Sequence, residues 1–213
     1  MTTIAVIDYD MGNLHSACKG LEFAGAKTVV THDVAELQRA DGVVLPGVGA
    51  FDPAMKKLCD RNLVSPILDI IASGKPFLGI CVGLQLLFEG SEEGSEPGIG
   101  AFKGTIRRFK DEPGIVVPHM GWNQLTLTQP DTPLWNQVSS GDWVYFVHSF
   151  YPEPTDASIT AATTTHGSQT VAVAAARDNL MAVQFHPEKS SHTGLRILAN
   201  FVELVQQKQL VTA

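Results

Sequence analysis

An α/β fold built on a parallel, doubly wound sheet is predicted by three features of the chain. Apolar runs of strand length alternate with helical patterns through residues 3–89, the pattern of β-α-β units. One such run turns into a helix at Gly79-Ile80-Cys81-Val82-Gly83. From residue 102 onward, short β-like runs separated by turns replace the alternation, with no linker, repeat or low-complexity tract between the halves. With 213 residues, 44% hydrophobic and 17% charged, the chain can bury one sizeable core, so a single domain over residues 1–213 is expected.

The elements follow in order. Thr3–Ile7 reads as a buried strand, followed by a loop over residues 9–13. Leu14, Ala17, Cys18, Leu21 and Ala24 recur at helical spacing, and Gly25 is placed to stop that helix. Lys27–Thr31 is the second strand. Asp33 with Glu36 three positions on resembles a capping box for a short helix, although solvent-face charges explain them equally well. Residues 41–45 form a third strand, leading into Pro46-Gly47-Val48-Gly49-Ala50-Phe51 and a helix with Asp52 as its cap and Pro53 at its first position. Residues 63–72 continue the helical pattern, which Gly74 ends.

The stretch from Lys75 to Glu89 reads as a nucleophile elbow. A residue on a sharp strand-to-helix turn adopts a strained backbone, and its neighbours two positions away must lack a Cβ; Gly79 and Gly83 meet that demand. The turn aims the Cys81 sulfur out of the sheet, over a helix N-terminus that favours thiolate. The Val82 N–H then points where an oxyanion would form. Taken alone, the motif also suits a buried cysteine on a glycine-punctuated strand. In a doubly wound sheet ligands bind beyond the carboxyl ends of the strands, where the Pro46 to Ala50 loop also lies, so a backbone N–H of that loop is the natural second oxyanion donor.

Residues 90–100 read as a surface loop rich in Gly, Ser and Glu. Strands are expected over residues 102–109, 124–128, 143–147, 158–164, 170–175 and 181–185, with His166-Gly167 at a hairpin corner. Residues 194–207 close the chain as an amphipathic helix with Leu195, Leu198, Ala199, Val202 and Val205 inward. Before it stands Gln184-Phe185-His186-Pro187-Glu188. There a carboxylate two residues from an imidazole, joined through a proline, can orient the ring and stabilise its charged form. Cys81, His186 and Glu188 together supply a nucleophile, a base and the group that orients the base.

Composition excludes several classes. The net charge of −7 leaves no electrostatic footprint for nucleic acid. Cys18, Cys59 and Cys81 are odd in number and lack C-x-x-C spacing, which argues against a disulfide framework and a metal site and for a reducing compartment. No apolar run approaches the length of a membrane span, and the opening MTTIAVIDYD lacks a basic stretch followed by an apolar one, so a cytoplasmic protein is expected.

GICVG, PGVG and FHPEKS resemble, in order and spacing, the triad or class I glutamine amidotransferases, over nearly the whole chain. Within that family, IDYDMGNLHS, PGVGAF, LLFEGSEEG, PHMGWN and YFVHSFY are similar to the glutaminase subunits of imidazole glycerol phosphate synthases, PHMGWN most diagnostically. The resemblance implies a flavodoxin-like α/β fold: a mostly parallel central sheet, helices on both faces, and additional antiparallel strands in the C-terminal half. It implies hydrolysis of L-glutamine through a Cys81 thioester with His186 and Glu188, no cofactor, and an oxyanion hole from Val82 and the Val48-Gly49 turn. Val82 replaces the leucine expected after the nucleophile, but only its N–H is needed. Gln85, Glu93 and the backbone of His148, Ser149 and Phe150 would hold the substrate's amino-acid end. As bare residues, Gln85 is equally a helix-surface glutamine and Glu93 a solvated charge. A (β/α)8 cyclase subunit would form a heterodimer and receive the ammonia, docking on Asn13, His119, Met120, Trp122, Asn123, Tyr145 and Lys189, with Trp122 as a core residue the competing reading. The alternatives are the glutaminase of pyridoxal phosphate synthase, against which PHMGWN argues; a redox-sensing Cys81, against which the His186-Pro187-Glu188 arrangement argues; and a papain-like protease, for which no open cleft is indicated.

Overall fold

The computed structural model describes the backbone of residues 2–212 and the side chains of residues 2–210. Strands β1 (Thr3–Ile7), β2 (Lys27–Thr31), β3 (Gly42–Gly47) and β4 (Phe77–Cys81) alternate with helices α1 (Leu14–Phe23), α2 (Val34–Arg39), α3 (Phe51–Asp60) and α4 (Val64–Ala72), as the apolar periodicity predicts. The short helix α5 (Val82–Leu86) follows β4 directly. The second half adds β5 (Gly104–Arg108), β6 (His119–Gln124), β7 (Thr126–Leu127), β8 (Trp143–His148), β9 (Phe150–Pro154), β10 (Thr160–His166), β11 (Gln169–Arg177) and β12 (Leu180–Val183), closed by helix α6 (Ser191–Thr212).

The main sheet has the order β2-β1-β3-β4-β12-β11-β10-β7. From β2 to β12 every pairing is parallel; β11, β10 and β7 extend it antiparallel. Ile4, Ala5, Val6 and Ile7 are all fully buried. Because successive strand residues face opposite sides, both faces of the sheet must be covered there. α1 packs on α6, α2 on α4 and α3 on α5. Two ribbons, β5-β9 and β6-β8, stand outside this sheet. Among the described residues no helix is long and apolar enough to cross a membrane.

Several local expectations are corrected. The cap of α3 is Ala50, not Asp52, and Pro53 sits at the third helical position. Its first N–H is taken by Glu93 Oε2 at 2.8 Å, while the Asp52 carboxylate accepts the N–H groups of Ser95 and Glu96 at 3.0 and 3.1 Å. Asp33 caps α2 by accepting the Ala35 N–H, but no capping box forms, because the Asp33 N–H goes to Thr31 Oγ1. α6 starts at Ser191 rather than Gly194, and among the described residues its buried apolar side chains are Ile197, Leu198, Phe201, Val202 and Val205, with Leu195 and Ala199 only half-buried. β6 and β9 were not foreseen. β6 puts His119 inward and Met120 and Trp122 outward, the reverse of the usual polarity, and β9 carries two prolines, tolerated on a two-stranded ribbon.

Candidate active site

β3, β4 and β12 run parallel, so their carboxyl ends lie at one edge of the sheet. Cys81 is the last residue of β4, paired in register with Gly47, and its φ of 56° and ψ of −112° give it the strained geometry of an elbow. A Cβ on Gly83 would run into the Leu45 carbonyl oxygen, and one on Gly79 would lie 2.8 Å from Leu87 Cδ1 and 3.0 Å from the Gly83 carbonyl oxygen. Glycines are required at both positions, so the turn is built for the residue it presents.

His186 follows β12. Its N–H donates to the Tyr145 carbonyl at 3.1 Å, and Ser190 Oγ donates to its carbonyl oxygen at 2.6 Å, pinning its backbone. Its Nδ1 lies 2.8 Å from Glu188 Oε1, both side chains being 3% exposed. Burial disfavours the charged ring, but the neighbouring Cys81 and the hydrogen-bonded Glu188 carboxylate outweigh that, raising its pKa to about 9. The ring is therefore an imidazolium at neutral pH, with its proton already available to a leaving group.

This has a stability consequence. The raised pKa means that the folded chain holds a proton which the unfolded chain, near 6.5, releases. The stabilisation is complete below about pH 6.5 and is lost as pH rises toward 9. Buried His119 and His148, with lowered pKa values, act in the opposite sense in acid. Urea midpoints measured from pH 6 to 9.5 should therefore converge between the native chain and His186→Gln as pH rises; a constant gap contradicts the assignment.

A cleft of about 390 Å³ opens over Cys81, lined by Val48, Gly49, Val82, Gln85, Glu93, Pro118, Val147, His148, Ser149, Phe150, His186 and Lys189. It gathers the expected triad members Cys81 and His186, the oxyanion residues and all the substrate-binding candidates. The interface candidates divide. Met120 and Trp122 are 63% and 48% exposed, and Tyr145 meets Trp122 edge-on with ring centroids 6.0 Å apart. Lys189 is exposed at the cleft rim. His119, only 4% exposed, is a correction: it turns inward, and Asn123 is half-buried beside it. Asn13, half-buried, borders a narrow space with Val48, His186 and Glu188. Trp143, 51% exposed on the same ribbon face as Trp122, was not foreseen.

Sequence reasoning also missed Gln184. It is fully buried; its Oε1 accepts from Gln85 Nε2 at 3.1 Å, which turns its Nε2 toward Cys81 Sγ at 3.8 Å. The signal was available in outline: Val183 pairs with Ile80, so the next residue of each strand lies side by side. Gln184→Leu removes a donor to a thiolate. It should slow iodoacetamide alkylation of Cys81 at neutral pH by roughly tenfold, the scale of one hydrogen bond to a charged group. An unchanged alkylation-pH profile contradicts this role.

A model of the family "Glutamine amidotransferase class-I" matches residues 5–205. The chain is 67% identical to "Imidazole glycerol phosphate synthase subunit HisH" of Cyanothece sp., over 99% of this chain and 100% of that one. It is 66% identical to the protein of the same name from Acaryochloris marina, over 97% and 96%. Among solved structures, a putative GMP synthase component from Thermoplasma acidophilum aligns with a TM-score of 0.74 at 21% identity, covering 100% of this chain and 98% of that one. PurLQS from Thermotoga maritima aligns at 0.73 and 18%, covering 98% and 99%. These two likenesses concern the fold.

Proposed function

We infer the function from the premise that the chain belongs to the class I glutamine amidotransferase family, joined to one arrangement: a strained Cys81 beside a charged, Glu188-oriented His186 under a cleft. The chain is the glutaminase subunit of an imidazole glycerol phosphate synthase, acting in histidine biosynthesis. It hydrolyses the side-chain amide of glutamine and passes the ammonia to a cyclase partner.

The thiolate of Cys81 attacks the carboxamide carbon, and the N–H groups of Val82 and of the Val48-Gly49 turn receive the oxyanion. His186 gives its proton to the departing nitrogen, which leaves as ammonia. Water, deprotonated by the now neutral ring, attacks the thioester and releases glutamate. Gln85, Glu93 and the backbone of His148, Ser149 and Phe150 hold the amino-acid end. Glu93 Oε2 accepts the Phe51 N–H, which holds the carboxylate in place for the ammonium of glutamine.

Ammonia released into water is largely protonated and no longer nucleophilic, so direct transfer follows. The outward face of the β6-β8 ribbon supports a docking role: Met120, Trp122, Trp143 and Tyr145 form a partly exposed, largely aromatic patch, and Val147, which pairs with Met120, lines the cleft over Cys81. The partner is a (β/α)8 cyclase bound as a heterodimer. The core runs without a break from Ile4 to Val205, which supports one domain. Three free cysteines fit a reducing, cytoplasmic setting.

Glutamate release by the full chain, with and without the cyclase partner and its nucleotide substrate, tests the pairing. Release that rises strongly with the cyclase is expected. Full activity without a partner contradicts the coupling, and no release in either condition contradicts the glutaminase.

A further inference from the structure

The buried histidines behind the docking ribbon form a hydrogen-bond chain whose direction can be worked out. Asn123 Oδ1 accepts the N–H of Gln124 at 2.8 Å, which turns its Nδ2 toward the Thr165 carbonyl, 2.9 Å away, and His119 Nε2, 3.2 Å away. An amide nitrogen only donates, so His119 Nε2 must be the bare nitrogen of its ring. The proton of neutral His119 is then on Nδ1, 3.0 Å from His148 Nε2, and is donated there. That leaves the His148 proton on Nδ1, 2.8 Å from the Phe150 carbonyl oxygen, which can only accept. The assignment closes from both ends with a single solution.

Both rings are kept neutral. Burial lowers the pKa of His148 to about 3 and that of His119 to about 4, with further repulsion from neighbouring histidines. Their planes are held as well. His119 stacks between Phe146 and His166 with centroids 4.7 and 4.3 Å away, and Phe109 meets His148 edge-on at 5.2 Å. The chain ends where the cleft begins. Phe150 lines it, and its carbonyl also receives Gln85 Nε2 at 3.4 Å, the amide that holds Gln184 against Cys81.

We propose that His119 is a positioning residue of the glutaminase site: fixed in one tautomer by Asn123, it orients His148 and through it the Phe150 peptide on the cleft wall. The proposal rests on the function inferred above. It gives His119 and Asn123 a task on the inner face of the ribbon, while Met120 and Trp122, alternating with them along β6, face outward. A partner pressing on the outer face thus bears on the strand that carries the first two members of the chain.

The test has two arms on the full-length chain. Nitrogen-15 NMR of the histidines reads the tautomers without reference to activity. His119 and His148 should both carry the proton on Nδ1, and a His148 protonated on Nε2 overturns the proposal. In the kinetic arm, with cyclase present, His119→Phe keeps the stacking but donates nothing. It should raise KM for glutamine roughly tenfold, about one hydrogen bond's worth, with kcat within a fewfold. His119→Asn, whose amide can replace Nδ1–H, should recover most of the loss. Asn123→Val, which leaves His119 in place, should give a smaller rise in KM and loss of the single His119 tautomer. A folded His119→Phe with unchanged KM, or His119→Asn as impaired as His119→Phe, overturns the role. If the native chain releases no glutamate, the proposed function fails, and the NMR arm still decides the hydrogen-bond chain.

Discussion

Cys81→Ala is expected to lower glutamate release by roughly 10⁴-fold to 10⁶-fold, the scale of losing the nucleophile from a unit that acts together. The fold should survive. The substitution removes only a sulfur at the cleft floor, and the strained φ of 56° is imposed by β4, α5 and the glycines around it rather than by the side chain. Glutamine should still bind, because Gln85, Glu93 and Phe150 are untouched. A variant that unfolds, or one that keeps appreciable activity, contradicts this account of the site.

Glu188→Gln should be the next most damaging change, lowering kcat roughly 10³-fold to 10⁴-fold, by comparison with losing the orienting carboxylate of a serine triad. Two effects combine. The His186 pKa falls from about 9 once its carboxylate partner is neutral, so less of the enzyme holds the imidazolium needed for ammonia to leave. The amide can also turn its NH2 toward Nδ1, favouring the wrong tautomer. The alkaline limb of the kcat-pH profile should move to lower pH in the variant. A profile of unchanged shape and height would assign Glu188 to packing alone.

Much of this site was legible because its decisive parts are local. Gly79, Cys81 and Gly83 lie within five residues, and their spacing carries the steric demand of the elbow directly. His186 and Glu188 are two residues apart, so their bond needs no tertiary knowledge. The strand-helix alternation to residue 89 was equally readable, because fully buried parallel strands appear as continuous apolar runs. What escaped depends on distant partners. Glu93 caps a helix from 42 residues away, displacing Asp52 from the position its type suggested. The inward turn of His119 shows only when β6 pairs with β8, since a strand with histidine and asparagine inside and methionine and tryptophan outside inverts the pattern that identifies strands. Gln184 was quoted within its motif, yet its contact with Cys81 needed the β4-β12 register.

The central claim is that the Cys81 sulfur becomes a glutamyl thioester, and the most direct measurement is the intact mass of the chain. The chain with its cyclase should be mixed with glutamine, quenched in acid during turnover and mapped by peptide. A fraction of the peptide containing Cys81 should carry the added mass of one glutamyl group, lost on treatment with hydroxylamine and absent from Cys81→Ala. Steady glutamate release with an unmodified Cys81 at every quench time would contradict the covalent mechanism.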